Sequence, residues 1–282
     1  MLTIMEAVQK AAAYFARRGI PSARLDAEVL LAHVLKLERI DLYIQHDRPL
    51  LRGEIDAYRK LLQERTRGVP VPYLTGRREF FSREFFVNPS VLIPRPETEL
   101  LVEAAADWCK GREGPLIVDV GTGSGIIAIT LAVLLPGSKV VGVDISEEAL
   151  AVARRNADYH QVEVEFRRGD LLSPLQDLRG RIDAIVSNPP YIAAGEWEEL
   201  PREVRQEPAA ALLGGADGLD FYRRLLLEGA AMVVSGGLLA VEVGWGQAER
   251  VAAMAGDLWR VKEIIPDYAG IPRVIMLTRR AG

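Results

Sequence analysis

Cysteine is almost missing from this 282-residue chain: Cys109 stands alone, which excludes an internal disulfide and any cysteine-rich metal site. Such usage fits a reducing compartment. Histidine is scarce too, with only His33, His46 and His160. A long apolar run is also lacking, since Leu131–Leu135 stops at Pro136-Gly137, far short of the roughly 20 residues that span a bilayer. The first residues carry no continuous apolar segment followed by a small-residue cleavage site, so no targeting peptide is expected. These absences predict a cytoplasmic protein with no membrane partner. Nor does one charge dominate: 35 Lys and Arg against 39 Asp and Glu leave a net charge of -4, which argues against wrapping a long nucleic-acid backbone.

What remains is ordinary globular material, 49% hydrophobic and 26% charged, enough for about two domains. The charge is unevenly spread. Residues 1–80 hold 14 basic against 10 acidic side chains, while the rest holds 21 against 29.

From Ile4 to about Leu62 apolar residues recur every three or four positions (Val8, Ala11, Ala12, Phe15; Leu25, Val29, Leu30, Ala32, Val34), which predicts amphipathic helices. Pro21-Ser22 and Asp47-Arg48-Pro49 punctuate them, with Ser22 a candidate cap and Pro49 a candidate start of the next helix. A helical bundle over 1–70 follows, either a simple packing domain or one that recognises a substrate. Residues 71–96 read as a hairpin linker, because Pro72, Gly76 and Pro89 break helices while Glu79–Phe81 and Phe85–Val87 are extended in character.

Beyond 97 short apolar runs alternate with helical patterns. Strands are predicted at Leu116–Val120, Val140–Asp144, Val162–Phe166, Asp183–Ser187, Leu238–Val243, Val261–Ile265 and Val274–Leu277, with helices around 98–108, 125–134, 147–158, 219–234 and 247–255. This predicts an α/β domain with a mostly parallel, seven-stranded Rossmann-like sheet. Ligands in such sheets bind beyond the carboxyl ends of the strands.

Three strand ends carry chemistry. The first runs into Asp119-Val-Gly121-Thr122-Gly123-Ser124-Gly125, a loop suited to close approach of a nucleotide-like ligand, although its glycine spacing differs from the dinucleotide fingerprint and no Walker lysine follows. The second ends at Asp144, able to accept both ribose hydroxyls or to cap the helix near Ser146. The third ends at Asp170, which can accept from an adenine amino group or cap a turn.

The most specific feature is Ser187-Asn188-Pro189-Pro190-Tyr191 at the end of the fourth strand. Each proline restricts the residue before it, so a side-chain amide and consecutive carbonyls are presented rigidly. Asn188 Oδ1 and the Pro189 carbonyl can then accept the two hydrogens of a planar NH2 group, with Tyr191 packing on its plane. Glu242 and Gln247 stand near the fifth strand as candidates for a pocket wall or a supporting role.

The glycine loop, Asp144 and Asn188–Tyr191 resemble class I S-adenosylmethionine-dependent methyltransferases that act on planar amino nitrogens. Further strings narrow this: Tyr73-Leu-Thr-Gly76, Val91-Leu-Ile-Pro-Arg-Pro-Glu-Thr-Glu99, Gly214-Gly-x-Asp217-Gly-Leu219, Tyr222-Arg223 and Ala269-Gly-x-x-Arg273-Val274 resemble the peptide chain release factor N5-glutamine methyltransferases. The resemblance covers nearly the whole chain. It implies methyl transfer from S-adenosylmethionine to the side-chain nitrogen of the glutamine in the Gly-Gly-Gln motif of class 1 release factors. It implies that Gly121, Thr122, Gly123, Ser124 and Gly125 line the methionine part of the cofactor, Asp144 its ribose, and Asp170 with Leu171 its adenine. Asn188, Pro189, Pro190 and Tyr191 would bind the target amide, Asn188 also facing the cofactor, with Asn188, Pro189 and Tyr191 catalytic. Leu171 stands where some relatives have Trp. The domain over 97–282 is then the methyltransferase, no metal and no nucleic-acid substrate are expected, and the chain is expected to act as a monomer. An adenine-N6 methyltransferase and a noncatalytic translation-associated binding protein are the competing readings.

Overall fold

The periodicity of the first 66 residues is realised as four helices, α1 (Ile4–Ala16), α2 (Ala23–Leu35), α3 (Arg39–Ile44) and α4 (Arg52–Thr66), followed by a helical turn α5 (Val71–Thr75). The computed structural model describes residues 2–281. A reciprocal capping box starts α1: Thr3 Oγ1 accepts from Glu6 N–H while Glu6 accepts from Thr3 N–H. Val8, Phe15, Leu30, Leu31 and Leu42 form the core of these helices. Ser22 occupies the cap position of α2 but makes no side-chain cap bond. The helix expected to begin at Pro49 begins at Arg52, because Glu54 caps the N–H of Leu51 and Pro49 is instead bridged to Thr3. Arg65, buried, pairs with Asp26 at 2.7 Å and with Glu203 at 2.6 Å. Residues up to Arg77 together with Pro201–Gln206 make one compact unit, and the rest of the chain makes the second. The first unit thus runs past residue 70: Val71 and Leu74 of α5 pack on the helical core, so the stretch expected to open the linker is helical.

The second unit begins at Arg78, within a hairpin of β1 (Arg77–Phe80) and β2 (Arg83–Phe86). It continues through α6 (Thr98–Cys109), β3 (Leu116–Val120), α7 (Ile126–Leu134), β4 (Lys139–Asp144), α8 (Glu147–His160), β5 (Glu165–Arg168) and β6 (Ile182–Ser187). It closes with α9 (Asp220–Met232), β7 (Val233–Glu242), α10 (Ala248–Ala253), β8 (Trp259–Pro266) and β9 (Pro272–Arg279). The sheet has seven strands in the order β5-β4-β3-β6-β7-β9-β8. Pairs from β5 to β7 are parallel, and β9 runs antiparallel to both β7 and β8.

Alternation along β3 divides the core. Val118 and Val120 join the cluster containing Leu225, Tyr222 and Trp259, while Ile117 joins the one containing Phe80, Leu101 and Ile129. Two boundaries differ from the sequence pattern. The strand expected at Val162–Phe166 begins at Glu165, since α8 continues to His160 and ends on Gln161 in a left-handed conformation. The strand expected from Leu238 begins at Val233, ahead of Gly236-Gly237.

Candidate active site

The chain leaves β3 for β4 on one side and reaches β6 on the other, so the ends of β3 and β6 flank the crevice where the strand order reverses. Val120 and Ser187 are partners there, and Ser187 Oγ donates to the Val120 carbonyl at 2.7 Å. A cavity of about 620 Å³ opens at this point, within the usual range for small-molecule sites. Gly121, Gly123, Asp144, Asp170, Leu171 and Asn188 line one part of it, with Pro189 and Pro190 beside them.

The glycine loop is bent by left-handed backbone at Gly121, Gly123 and Gly125, a region L side chains rarely adopt. Its non-glycine residues turn inward. Thr122 Oγ1 donates to Asp119 Oδ2 at 2.6 Å, and the Ser124 carbonyl accepts from Asn156 at 2.8 Å. Both are buried, and neither they nor Gly125, which caps α7, lie on the cavity wall. Asp119 is fully buried, and its Oδ1 has no hydrogen-bond partner. Burial raises its carboxyl to about 7.

Asp144 holds the loop, accepting from Gly123 N–H through Oδ2 and from Ser146 N–H through Oδ1, each at 2.9 Å. The cap of α8 is Ser146 itself, whose Oγ accepts from Ala149 N–H. Asp170 forms a two-pronged pair with Arg224 at 3.0 and 2.9 Å. Leu171, on the cavity wall, sits at φ +49, uncommon for a branched side chain.

At the end of β6, Asn188 Nδ2 donates to Thr98 Oγ1 at 3.2 Å, and Thr98 Oγ1 donates to Glu242 Oε2 at 2.6 Å. Among the described residues nothing donates to Asn188 Oδ1 or to the Pro189 carbonyl. Tyr191 lies off the cavity wall, packed on the core near Gly244, and burial raises its hydroxyl to about 12. Gln247 supports it, donating to the Tyr191 carbonyl at 2.9 Å. Gly214 backs the segment so closely that a Cβ there would stand 2.5 Å from the Pro190 carbonyl oxygen. Gly214 and Gly218 are thus a packing requirement of Pro190 and Tyr191, and Gly215 makes room for Asp220.

Sequence reasoning passed over the rest of the wall, which includes Pro89–Leu92, Pro208, Leu213, Phe221 and Arg224. No spacing rule joins these residues. Thr98 was visible only inside the Val91–Glu99 string, without a chemical role. Cys109 is buried with its thiol raised to about 11, so it is no ready nucleophile. No cluster of metal-ligating side chains occurs among the described residues.

Residues 6–76 match the PrmC N-terminal domain model and residues 96–211 the methyltransferase small domain model. Solved structures share the sheet. One is a methyltransferase from Pyrococcus furiosus, at TM-score 0.54 and 19% identity over 72% of this chain and 91% of that one. Another is the Thermus thermophilus 16S rRNA N2 G1207 methyltransferase in complex with AdoMet and guanosine, at TM-score 0.52 and 18% identity over 73% of this chain and 50% of that one. Proteins named release factor glutamine methyltransferase are far more similar. That of Chlorobaculum tepidum is 41% identical over 96% of this chain and 95% of its own length, and that of Geobacter sulfurreducens 45% identical over 89% and 88%. The Moorella thermoacetica protein is 42% identical over 99% of both chains. With such identity sustained across both compact units, the chain belongs to the release factor glutamine methyltransferase family.

Proposed function

We propose that this protein transfers a methyl group from S-adenosylmethionine to the side-chain amide nitrogen of a glutamine in class 1 peptide chain release factors, at their Gly-Gly-Gln motif. The observation that carries this is the pair of unclaimed acceptors, Asn188 Oδ1 and the Pro189 carbonyl, on the wall of a cavity at the end of β6. An NH2 group on a planar carbon offers two hydrogens to such a pair. Adenine also presents such a group; family membership favours glutamine.

The cavity suits the cofactor by its size and by its donors and acceptors. Gly121 and Gly123 leave room beside their backbone, and Asp144 and Asp170 supply carboxylates. Asp119 Oδ1, buried without a partner beneath the loop, is an acceptor suited to a cationic or N–H group reaching it, directly or through water. We assign the methionine part to the Gly121–Gly125 loop, with Gly121 and Gly123 on the cavity wall and Thr122, Ser124 and Gly125 shaping the turn behind them. The ribose falls to Asp144, and the adenine side to Asp170 and Leu171. Tyr191 acts by packing on the core behind Asn188, Pro189 and Pro190.

S-adenosylmethionine, when bound, supplies an electrophilic methyl group. An amide nitrogen is a poor nucleophile because its lone pair is delocalised into the carbonyl. Two fixed acceptors gripping its hydrogens favour rehybridisation and aim the developing lone pair, a positioning and electrostatic effect. The nitrogen sheds its proton readily once it has become positively charged, so no base is needed beforehand. We place this activity in the cytoplasm, carried out by a monomer and acting on protein rather than nucleic acid. In support, the net charge is -4 and no described helix is long and apolar enough to cross a membrane.

The test is mass spectrometry of a purified class 1 release factor after incubation with enzyme and S-adenosylmethionine. One added methyl group on the Gly-Gly-Gln glutamine supports the assignment. An unmodified glutamine, or methyl transfer to adenine in RNA or DNA instead, overturns it.

A further inference from the structure

We infer that Thr98, anchored by Glu242, is a positioning residue that fixes which end of the Asn188 side-chain amide faces the target. The inference rests on the glutamine-amide reading above.

The two ends of an asparagine amide have nearly the same shape and opposite chemistry: the oxygen accepts and the nitrogen donates. With Nδ2 outward, Asn188 would set a donor against the hydrogens of the target NH2, and the grip would be lost. Local backbone restraint from Pro189 does not choose between the two orientations, because the amide turns about its own terminal torsion.

Thr98 makes that choice. Its hydroxyl carries one proton, and the 2.6 Å contact to Glu242 Oε2 directs that proton to a carboxylate, which in its ionised state only accepts. The lone pairs of Thr98 Oγ1 are left facing Asn188 and are complemented only by its NH2 end, which lies at 3.2 Å. The arrangement is sealed: Thr98 is 0% and Glu242 3% exposed, so water cannot readily stand in for either partner. It is also rigidly mounted. Thr98 lies in the first turn of α6, Glu242 ends β7, and the Tyr222 hydroxyl donates to the Glu242 carbonyl at 2.9 Å. A hydroxyl that served only to fill space would not require a buried carboxylate behind it, since burying such a group is costly.

The two variants of Thr98 separate positioning from packing. Thr98→Val keeps the shape and removes the hydroxyl, whereas Thr98→Ser keeps the hydroxyl and removes a methyl group. Methyl transfer to a release factor and S-adenosylmethionine affinity are measured for both at pH 8, alongside the wild type. The expected result is a fall in kcat of about ten- to a hundredfold in Thr98→Val. KM for the release factor and the cofactor Kd should stay within about threefold, an allowance of under 1 kcal/mol. Thr98→Ser should recover most of the loss. The inference is overturned if Thr98→Val transfers methyl as the wild type does, if Thr98→Ser falls as far as Thr98→Val, or if the loss appears in cofactor affinity, which would mark a structural role. Absence of transfer by the wild type itself overturns the glutamine reading instead.

Discussion

Glu207 and Arg95 form an ion pair at 2.5 Å, and the other oxygen of Glu207 accepts from the N–H of Ile93 at 2.9 Å. Glu207 is almost fully buried. It therefore ties the stretch that follows Pro89–Leu92 to the one that begins at Pro208, and Pro89–Leu92 and Pro208 both line the cavity.

Glu207→Ala is expected to loosen both stretches at once. Removing its carboxylate leaves the buried N–H of Ile93 without an acceptor and the partly exposed Arg95 unpaired, so cofactor affinity should fall by about tenfold or more, together with a lower melting temperature. Isothermal titration with S-adenosylmethionine and a thermal melt check this; unchanged affinity would show that the clamp does not shape the site.

Asn188→Ala removes one of the two acceptors while leaving Gly121, Gly123, Asp144 and Asp170 of the cavity wall in place. A decrease in kcat of about 10²–10³ is expected, with S-adenosylmethionine still bound, by analogy with loss of one preorganised group at a reacting centre. Single-turnover transfer and cofactor titration on the same preparation distinguish this from misfolding.

Gly214→Ala puts a methyl group where the Pro190 carbonyl oxygen would be 2.5 Å away and Tyr191 Cα 2.9 Å away. The backbone must shift, at an expected cost of about 1–3 kcal/mol in stability, and with Asn188–Tyr191 displaced the enzyme should lose most of its activity. Denaturant unfolding and a methyl-transfer assay read the two effects separately.

The buried carboxyls set a pH dependence of stability. Burial raises Glu242 from 4.5 to about 7, with Glu97 adding to the rise and Thr98, Arg273 and Asn188 opposing it. Tyr191 and Tyr222 also border this carboxyl. The folded chain thus holds a proton that the unfolded chain releases near 4.5, so stability falls as pH rises from about 4.5 to about 7 and levels off above that. Asp119 acts in the same direction between 3.8 and about 7. Glu242→Gln removes its share, at most about 3 kcal/mol. Its melting temperature should exceed that of the wild type by roughly 2–6 °C at pH 8, with the gap closing toward pH 5. A gap independent of pH would contradict the raised carboxyl.

Much of this was legible in the order of residues. Apolar runs ending in Asp119-Val-Gly121, Val143-Asp144 and Ser187-Asn188 put strand, turn and functional group within a few positions of one another, so periodicity and turn chemistry were enough to read them. The rest was not local. Whether Thr122 and Ser124 face the cavity depends on which way the loop turns over Asp119, and the boundary after α8 depends on a single left-handed residue, Gln161.

By itself, then, the sequence determined the element types, the glycine loop and the rigid Asn188-Pro189-Pro190 backbone, because each is set by neighbours along the chain. Only the tertiary structure decided that Thr98 holds Asn188 from 90 positions away, that Glu242 holds Thr98 from 144, and that Arg224 meets Asp170 across 54. Those contacts arise from the order of strands in the sheet and the docking of helices on it, and no short-range pattern encodes them.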